Sequence, residues 1–194
     1  MNDQTVAEPN PSALTGRKVR LRELRDEDLP YLCTWWSNPS QSVFQTTDAP
    51  TPRPSSELIP MFRDWSKNDG TRWGFSVEAK EDGAFVGHVT LFGPNVKDRC
   101  ATFAIVIGPE HQDRGYGSDA TRLMVSYGFA ELGLHRIELQ VFAYNPRALA
   151  AYRKAGFIEE GRRRSSVYRN GAWHDDIYMG LLRDEWEAQQ GNVA

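Results

Sequence analysis

From Arg17 to Leu24 apolar and charged residues alternate. Val19, Leu21 and Glu23 fall on one side and the basic residues on the other, which predicts a half-exposed strand. Asp26-Glu27-Asp28 then places carboxylates where a helix begins, and Pro30 falls in its first turn, where a missing N–H does no harm. That helix carries Leu29, Leu32, Trp35 and Trp36 and stops before Asn38-Pro39. Residues 37–54 are rich in Ser, Thr and Pro with Phe44 as an apolar anchor, the pattern of a long loop of the kind that is either functional or mobile. A second helix follows, capped by Ser55 or Ser56, with Leu58, Ile59, Phe62 and Trp65 at helical spacing. Strand patterns then run over 72–79, 84–92 and 100–107, separated by Glu81-Asp82-Gly83 and by Gly93-Pro94-Asn95.

Beyond Gly117 the period becomes helical through Ala120, Leu123, Met124, Tyr127 and Ala130, and Gly133 suits the C-terminal cap. A strand is predicted over 136–142, then a short helix opened by Asn145-Pro146 and closed by Gly156. Two last strands, 157–168 and 173–181, flank Asn170-Gly171, a strong hairpin signal. The pattern gives one domain over 17–187, with tails at 1–16 and 188–194.

Composition narrows the class. The 194 residues are 40% hydrophobic and 25% charged, ordinary globular usage, and the formal net charge is −3. No basic excess marks a nucleic-acid partner, and no apolar run reaches the ~20 residues of a membrane span. The two cysteines, Cys33 and Cys100, have no metal-site spacing, so no metal is expected and both read as small core thiols. The polar start lacks the layout of a secretory leader; with the free thiols this gives the expectation of a cytoplasmic protein.

Chemistry concentrates at Ile105 to Ser118, where a strand runs through a loop with Gly115 and Gly117 into a helix. Glycines let successive main-chain N–H groups point into one space, and the helix start adds partial positive charge. Both favour a diphosphate, to which Arg114 can add a full charge; the alternative is a glycine turn that binds nothing. The dinucleotide fingerprint fails, because Gly115-Tyr-Gly-Ser-Asp-Ala120 ends in Ala, and the Gly-Lys-Ser/Thr of nucleotide triphosphate loops is absent.

Gln112-Asp-Arg-Gly-Tyr-Gly117 resembles the Q/R-x-x-G-x-G/A motif of the GNAT (Gcn5-related N-acetyltransferase) superfamily. Asn145-Pro-Arg-Ala-Leu-Ala-Ala-Tyr152-Arg-Lys-Ala-Gly-Phe157 resembles its second signature. The opening Leu21–Asp28 and the closing Tyr168–Leu182 resemble the RimJ/RimL branch, which acetylates protein N-termini and assorted small amines. The resemblance implies an α/β GNAT fold: a mixed, mostly antiparallel sheet of about seven strands flanked by about four helices. It implies acetyl-CoA as cosubstrate. Gln112, Asp113, Arg114, Gly115, Tyr116, Gly117 and Ser118 would cradle its diphosphate. The main chain of Ile105, Val106 and Ile107 would pair with the pantetheine amides like an added strand, and Asn145 would hold the same arm.

Asn145 and Tyr152 are seven residues apart and share a helix face. In acetyl transfer an amine attacks a thioester and the departing thiolate takes a proton or hydrogen bond, a role open to the Tyr152 hydroxyl. Otherwise Asn145 is a cap and Tyr152 a core tyrosine. The family's carboxylate bases are replaced here by Thr102 and Gln140, leaving His88, the tentative base, and His111 as titratable candidates. With no cysteine in either motif, direct attack in a ternary complex is expected. The acceptor is expected to be a protein N-terminus or a small-molecule amine, and the protein a monomer or homodimer. A non-catalytic acyl-CoA sensor is the other reading. Trp35, Trp36 and Phe44 are candidates for an acceptor pocket. Asp175 and Asp176 could attract a cationic amine, and Arg162–Arg164 could meet an acidic acceptor or the coenzyme's 3′-phosphate; the plainer reading of both groups is solvated strand positions.

Overall fold

The computed structural model describes residues 13–191. Its elements in chain order are β1 (Val19–Arg22), α1 (Leu29–Ser37), α2 (Pro39–Ser42), α3 (Ser55–Trp65), β2 (Arg72–Ala79), β3 (Phe85–Asn95), β4 (Cys100–Ile107), α4 (Tyr116–Ala130), β5 (Arg136–Phe142), α5 (Pro146–Lys154), β6 (Ile158–Arg169), β7 (Ala172–Leu182) and α6 (Arg183–Gly191). The strands form one seven-stranded sheet in the order β1-β2-β3-β4-β5-β7-β6. All neighbours are antiparallel except β4 and β5. Those two run parallel because α4 carries the chain back across the sheet.

The sheet is covered on both faces. One face packs on α4 and α5 through a core that includes Phe103, Met124, Phe129, Ile137, Leu139 and Tyr152. The other packs on α1 and α3 through Leu29, Leu32, Trp35, Leu58, Phe62 and Val106. The β6–β7 hairpin turns on Asn170 and Gly171, both at positive φ (50° and 79°), the twist that a two-residue hairpin turn demands.

The four expected helices are joined by two more. Pro39–Ser42 forms inside the expected 37–54 loop, where the Asn38 side chain accepts from the Ser40 N–H and caps it. α6 runs past residue 187 into the expected tail, with Trp186 packed on the core. At the other end Gly16 donates to the Val19 carbonyl and Leu14 packs inward, so the folded unit includes 13–16. Residues 1–12 and 192–194 of the expected tails lie outside the described residues.

β1 departs from the expected one-sided pattern. Arg22, placed by alternation on the solvent side, is buried, and its guanidinium donates to Asp28 at 2.7 and 2.9 Å and to Glu78 at 2.6 Å. The Ser76 hydroxyl completes the cluster at 2.7 Å from Asp28. Charge pairing satisfies Arg22 in the interior, as burial of an ion requires.

Candidate active site

The site is created by a failure of pairing. β4 and β5 are paired only at residues 100–102 with 136–138 and then separate. Carbonyls on that side of β4 are left without a strand partner. Side-chain amides meet two of them: Gln45 donates to the Ile105 carbonyl (3.3 Å) and Gln112 to the Ile107 carbonyl (3.2 Å). A cavity of about 490 Å³ occupies the gap and reaches both sheet faces, touching Thr102 to Ile107, Gly115, Gly117, Ser118, Asn145 and Tyr152.

The loop from β4 to α4 is shaped by Asp113 and Gly115 at φ 59° and 83°. Among the described residues, none of the main-chain N–H groups of 113–118 donates to a protein acceptor. These are the orphan donors of a helix start together with the turn before it, a ready seat for an anion. α4 is fixed by Asp119, whose carboxylate accepts from the N–H groups of Lys18 (2.7 Å) and Val19 (3.1 Å).

Ile105, Val106, Ile107, Gln112, Asp113, Gly115, Gly117, Ser118, Asn145 and Tyr152 all line the cavity. Arg114 and Tyr116 do not. Both side chains point away from the cavity and bond Glu81: Tyr116 is buried in the core with its hydroxyl 2.6 Å from Glu81, and the exposed Arg114 guanidinium lies over its ring. The free charge expected from Arg114 is thus spent on Glu81, and the two side chains brace the loop from behind. Gln112 is a staple: its amide bonds the Ile107 carbonyl and Gln41, and its oxygen accepts from Arg147.

Asn145 caps α5, with its side-chain oxygen accepting from the Ala148 N–H at 3.2 Å. Tyr152, just under two turns on, is buried between the rings of Phe103 and Phe157. Burial pushes its phenol up to about 12. The hydroxyl is therefore protonated at neutral pH, and among the described residues it has no protein partner. It is a donor held in reserve beside the gap.

The tentative base role for His88 is corrected. His88 is fully buried under α3 against Phe62, with Nε2 2.8 Å from the Ser66 hydroxyl, and does not reach the cavity. Burial lowers its pKa to about 4. His111 does line the cavity, edge-on to Trp35. Asp175 and Arg162 bond each other at 3.2 Å, outside the cavity. Among the described residues no cluster of His, Cys, Asp and Glu is set to hold a metal, and no helix is long and apolar enough to cross a membrane.

Residues not singled out from sequence also form the site: Gln41 and Gln45 from the 37–54 loop, Phe92, Phe142 and Arg147. The loop's length was the available signal, but nothing in its composition picked out the glutamines. Tyr144 ties this loop down by donating to the Val43 carbonyl (2.7 Å), and Arg169 does so at Thr46 (2.7 Å).

Comparison with known proteins identifies the family. Residues 18–158 match the family described as Acetyltransferase (GNAT) domain. The chain is 30% identical over 185 residues to the spermidine N(1)-acetyltransferase of Escherichia coli K12, covering 90% of this chain and 91% of that one. It is 31% identical over 127 residues to the putative ribosomal N-acetyltransferase YdaF of Bacillus subtilis, covering 66% and 69%. The crystal structure of Vibrio cholerae spermidine N-acetyltransferase with CoA and spermine superposes with a TM-score of 0.77 at 28% identity, covering 88% of this chain and 98% of that one.

Proposed function

The chain belongs to the GNAT acetyltransferase family and is an acetyl-CoA-dependent N-acetyltransferase; from that premise we propose the roles of its own residues and the nature of its acceptor. The main-chain amides of 113–118 hold the coenzyme diphosphate. The β4 carbonyls at Ile105 and Ile107 receive pantetheine N–H groups in place of Gln45 and Gln112, and the Asn145 amide lies on the same path. The acyl end then lies in the gap at Phe103 and Tyr152.

The acceptor is a primary amine, a peptide N-terminus or a small molecule, which attacks the thioester carbonyl directly. A C–N bond forms, the C–S bond breaks with its electron pair on sulfur, and the ammonium proton passes to water. A phenol at about 12 lies above a thiol at ~8.5, so Tyr152 steadies the leaving thiolate by donating a hydrogen bond. The RimJ/RimL-like reading is supported by the opening segment Leu21–Asp28 and the closing segment Tyr168–Leu182. The observation that carries the reading is the set of unpartnered amides at the mouth of a gap that ends on the Tyr152 hydroxyl.

The decisive test is thiol release from acetyl-CoA across N-terminal peptides, spermidine, aminoglycosides and amino acids. Turnover with one class is expected, together with about 2.7 kcal/mol of stabilisation at 100 times the coenzyme's dissociation constant. Stabilisation without thiol release from any amine is the behaviour of a sensor.

Gly117→Asp separates binding from folding. A Cβ at Gly117 meets only the Ile107 side chain at 3.4 Å, ordinary contact, and a carboxylate in the first turn of α4 favours the helix. The same carboxylate opposes a diphosphate. The melting temperature is expected to hold within ~2 °C while calorimetry shows coenzyme affinity falling by about tenfold or more. Unchanged affinity would remove the diphosphate from this loop.

A further inference from the structure

The acceptor side of the cavity carries no charge. Trp36, Phe44, Phe92 and Phe142 wall it, with Thr102, Gln45 and Gln140 as its polar members. Phe92 and Thr102 are register partners, and Gln140 and Phe142 alternate on β5, so all four lie on the sheet face that α1 covers. The charged lining residues, Asp113, Arg147 and Lys154, all belong to the phosphate loop and α5.

His111 and Tyr152 apart, the other titratable groups on the neighbouring elements lie outside the cavity lining. Asp176, register partner of Phe142, is 1% exposed and 3.7 Å from Arg163; its Oδ1 has no hydrogen-bond partner among the described residues, and burial raises its carboxyl above the ordinary range. Tyr178, partner of Gln140, lies under the Arg163 guanidinium. Glu138 is paired to Arg136, His174 packs against Tyr144, and His88 is buried beneath α3. His111 follows the far end of β4, where the four steps along the strand from Phe103 to Ile107 span ~13 Å. Tyr152 is a donor.

Resting on the transferase reading above, we propose that the acceptor is a weakly basic amine on an apolar or aromatic body, an α-amino group of a peptide or amino-acid derivative, and that this site selects against polyamines. Two costs make the selection. A polyamine brings several charges against a wall with no carboxylate, and desolvating an unpaired ammonium is expensive even with an aromatic face beneath one of them. The attacking amine must also be neutral, and no carboxylate lines the acceptor wall to take its proton. An α-amine with pKa ~7.7–8.0 is roughly one-tenth neutral at pH 7, an alkylamine at ~10.4 about one part in 2,500, a gap of order 200-fold.

The test is thiol release from acetyl-CoA with phenylalaninamide, phenethylamine and spermidine between pH 7 and 9.5. The first two share a ring and differ in amine basicity. At pH 7 kcat/KM is expected to favour phenylalaninamide by about 100-fold or more over both others, and the lead over phenethylamine should shrink by up to tenfold per pH unit above pH 8. Gln140→Glu, which sets a carboxylate in the wall at nearly constant shape, is expected to raise the spermidine to phenylalaninamide ratio by at least tenfold. Spermidine or phenethylamine matching phenylalaninamide at pH 7 would overturn the selection and leave the transferase reading intact. Coenzyme binding with no thiol from any of the three or from the wider panel would overturn the transferase reading and this inference with it.

Discussion

Tyr152→Phe is expected to bind acetyl-CoA with unchanged affinity and to release thiol 10²–10³-fold more slowly, a loss of about 3–4 kcal/mol in transition-state stabilisation. The separation follows from where the hydroxyl sits. The ring packs edge-on to Phe103 and Phe157 at 6.0 Å, and a phenylalanine keeps those contacts. With no protein partner for the hydroxyl, its loss leaves no buried group unsatisfied, so the melting temperature should stay within ~3 °C. Nor would the hydroxyl serve the diphosphate, which on the proposed reading is held through the main-chain amides of 113–118. Its work begins when negative charge appears on sulfur. A corollary is the alkaline limb: with the phenol at about 12, the wild-type rate should show no fall from Tyr152 ionisation up to pH 10. Isothermal titration with CoA, single-turnover thiol release and a pH–rate profile check all three parts. A variant that loses coenzyme affinity as much as rate would make Tyr152 a packing residue.

The reach of the sequence can be judged element by element. β2, β4 and β5 are where the pattern places them, residue for residue, because turn signals bound each apolar run. Asn145 and Gly156 end a helix by local chemistry that any fold must respect, and Asn145 caps α5 as read. Glycine spacing likewise revealed a loop with amides to spare. Three features were hidden because they depend on contacts distant in sequence. Arg22 reads as a surface residue until Glu78, 56 positions later, is brought beside it. Arg114 reads as a phosphate ligand until Glu81 claims its guanidinium. His88 carries an ordinary imidazole pKa in the sequence and loses it under α3. The gap itself was illegible for the same reason. It exists because two strands 28 residues apart or more start parallel and then part, which no local pattern records.

Removing Asp28 should damage the protein more than any change at the cavity wall. Asp28 is 1% exposed and accepts four hydrogen bonds: two from Arg22, one from the Arg25 N–H at 3.0 Å and one from Ser76. Asp28→Ala leaves a buried guanidinium short of a counter-charge and two further donors unanswered. Breaking a buried pair in this way costs about 3–5 kcal/mol, which for a chain this size lowers Tm by roughly 6–20 °C. Arg22→Met with Asp28→Leu, which removes both charges, should recover much of that loss, since the desolvation cost of the ions disappears with them. The same cluster sets the acid limit. Burial alone would raise the Asp28 and Glu78 carboxyls, but their partners together outweigh it, Arg22 with the Arg25 N–H and Ser76 at Asp28 and Arg22 with Arg20 at Glu78, and hold both below the usual carboxylate range. Their contribution is present above the unfolded values near ~4 and is lost as pH falls through the lower folded ones. His88 acts in an earlier window. Burial depresses it from 6.5 to about 4, so between those values the unfolded chain binds a proton that the folded one refuses. Stability should therefore decline by about 3 kcal/mol from pH 6.5 to 4 before the carboxylates titrate. Urea melts at pH 7, 5.5 and 4.5 measure this slope, and His88→Gln should flatten it while leaving the steeper fall below pH 4 in place. A wild-type profile flat from pH 6.5 to 4 would mean that His88 takes up its proton in the folded state, against the buried, uncharged imidazole described here.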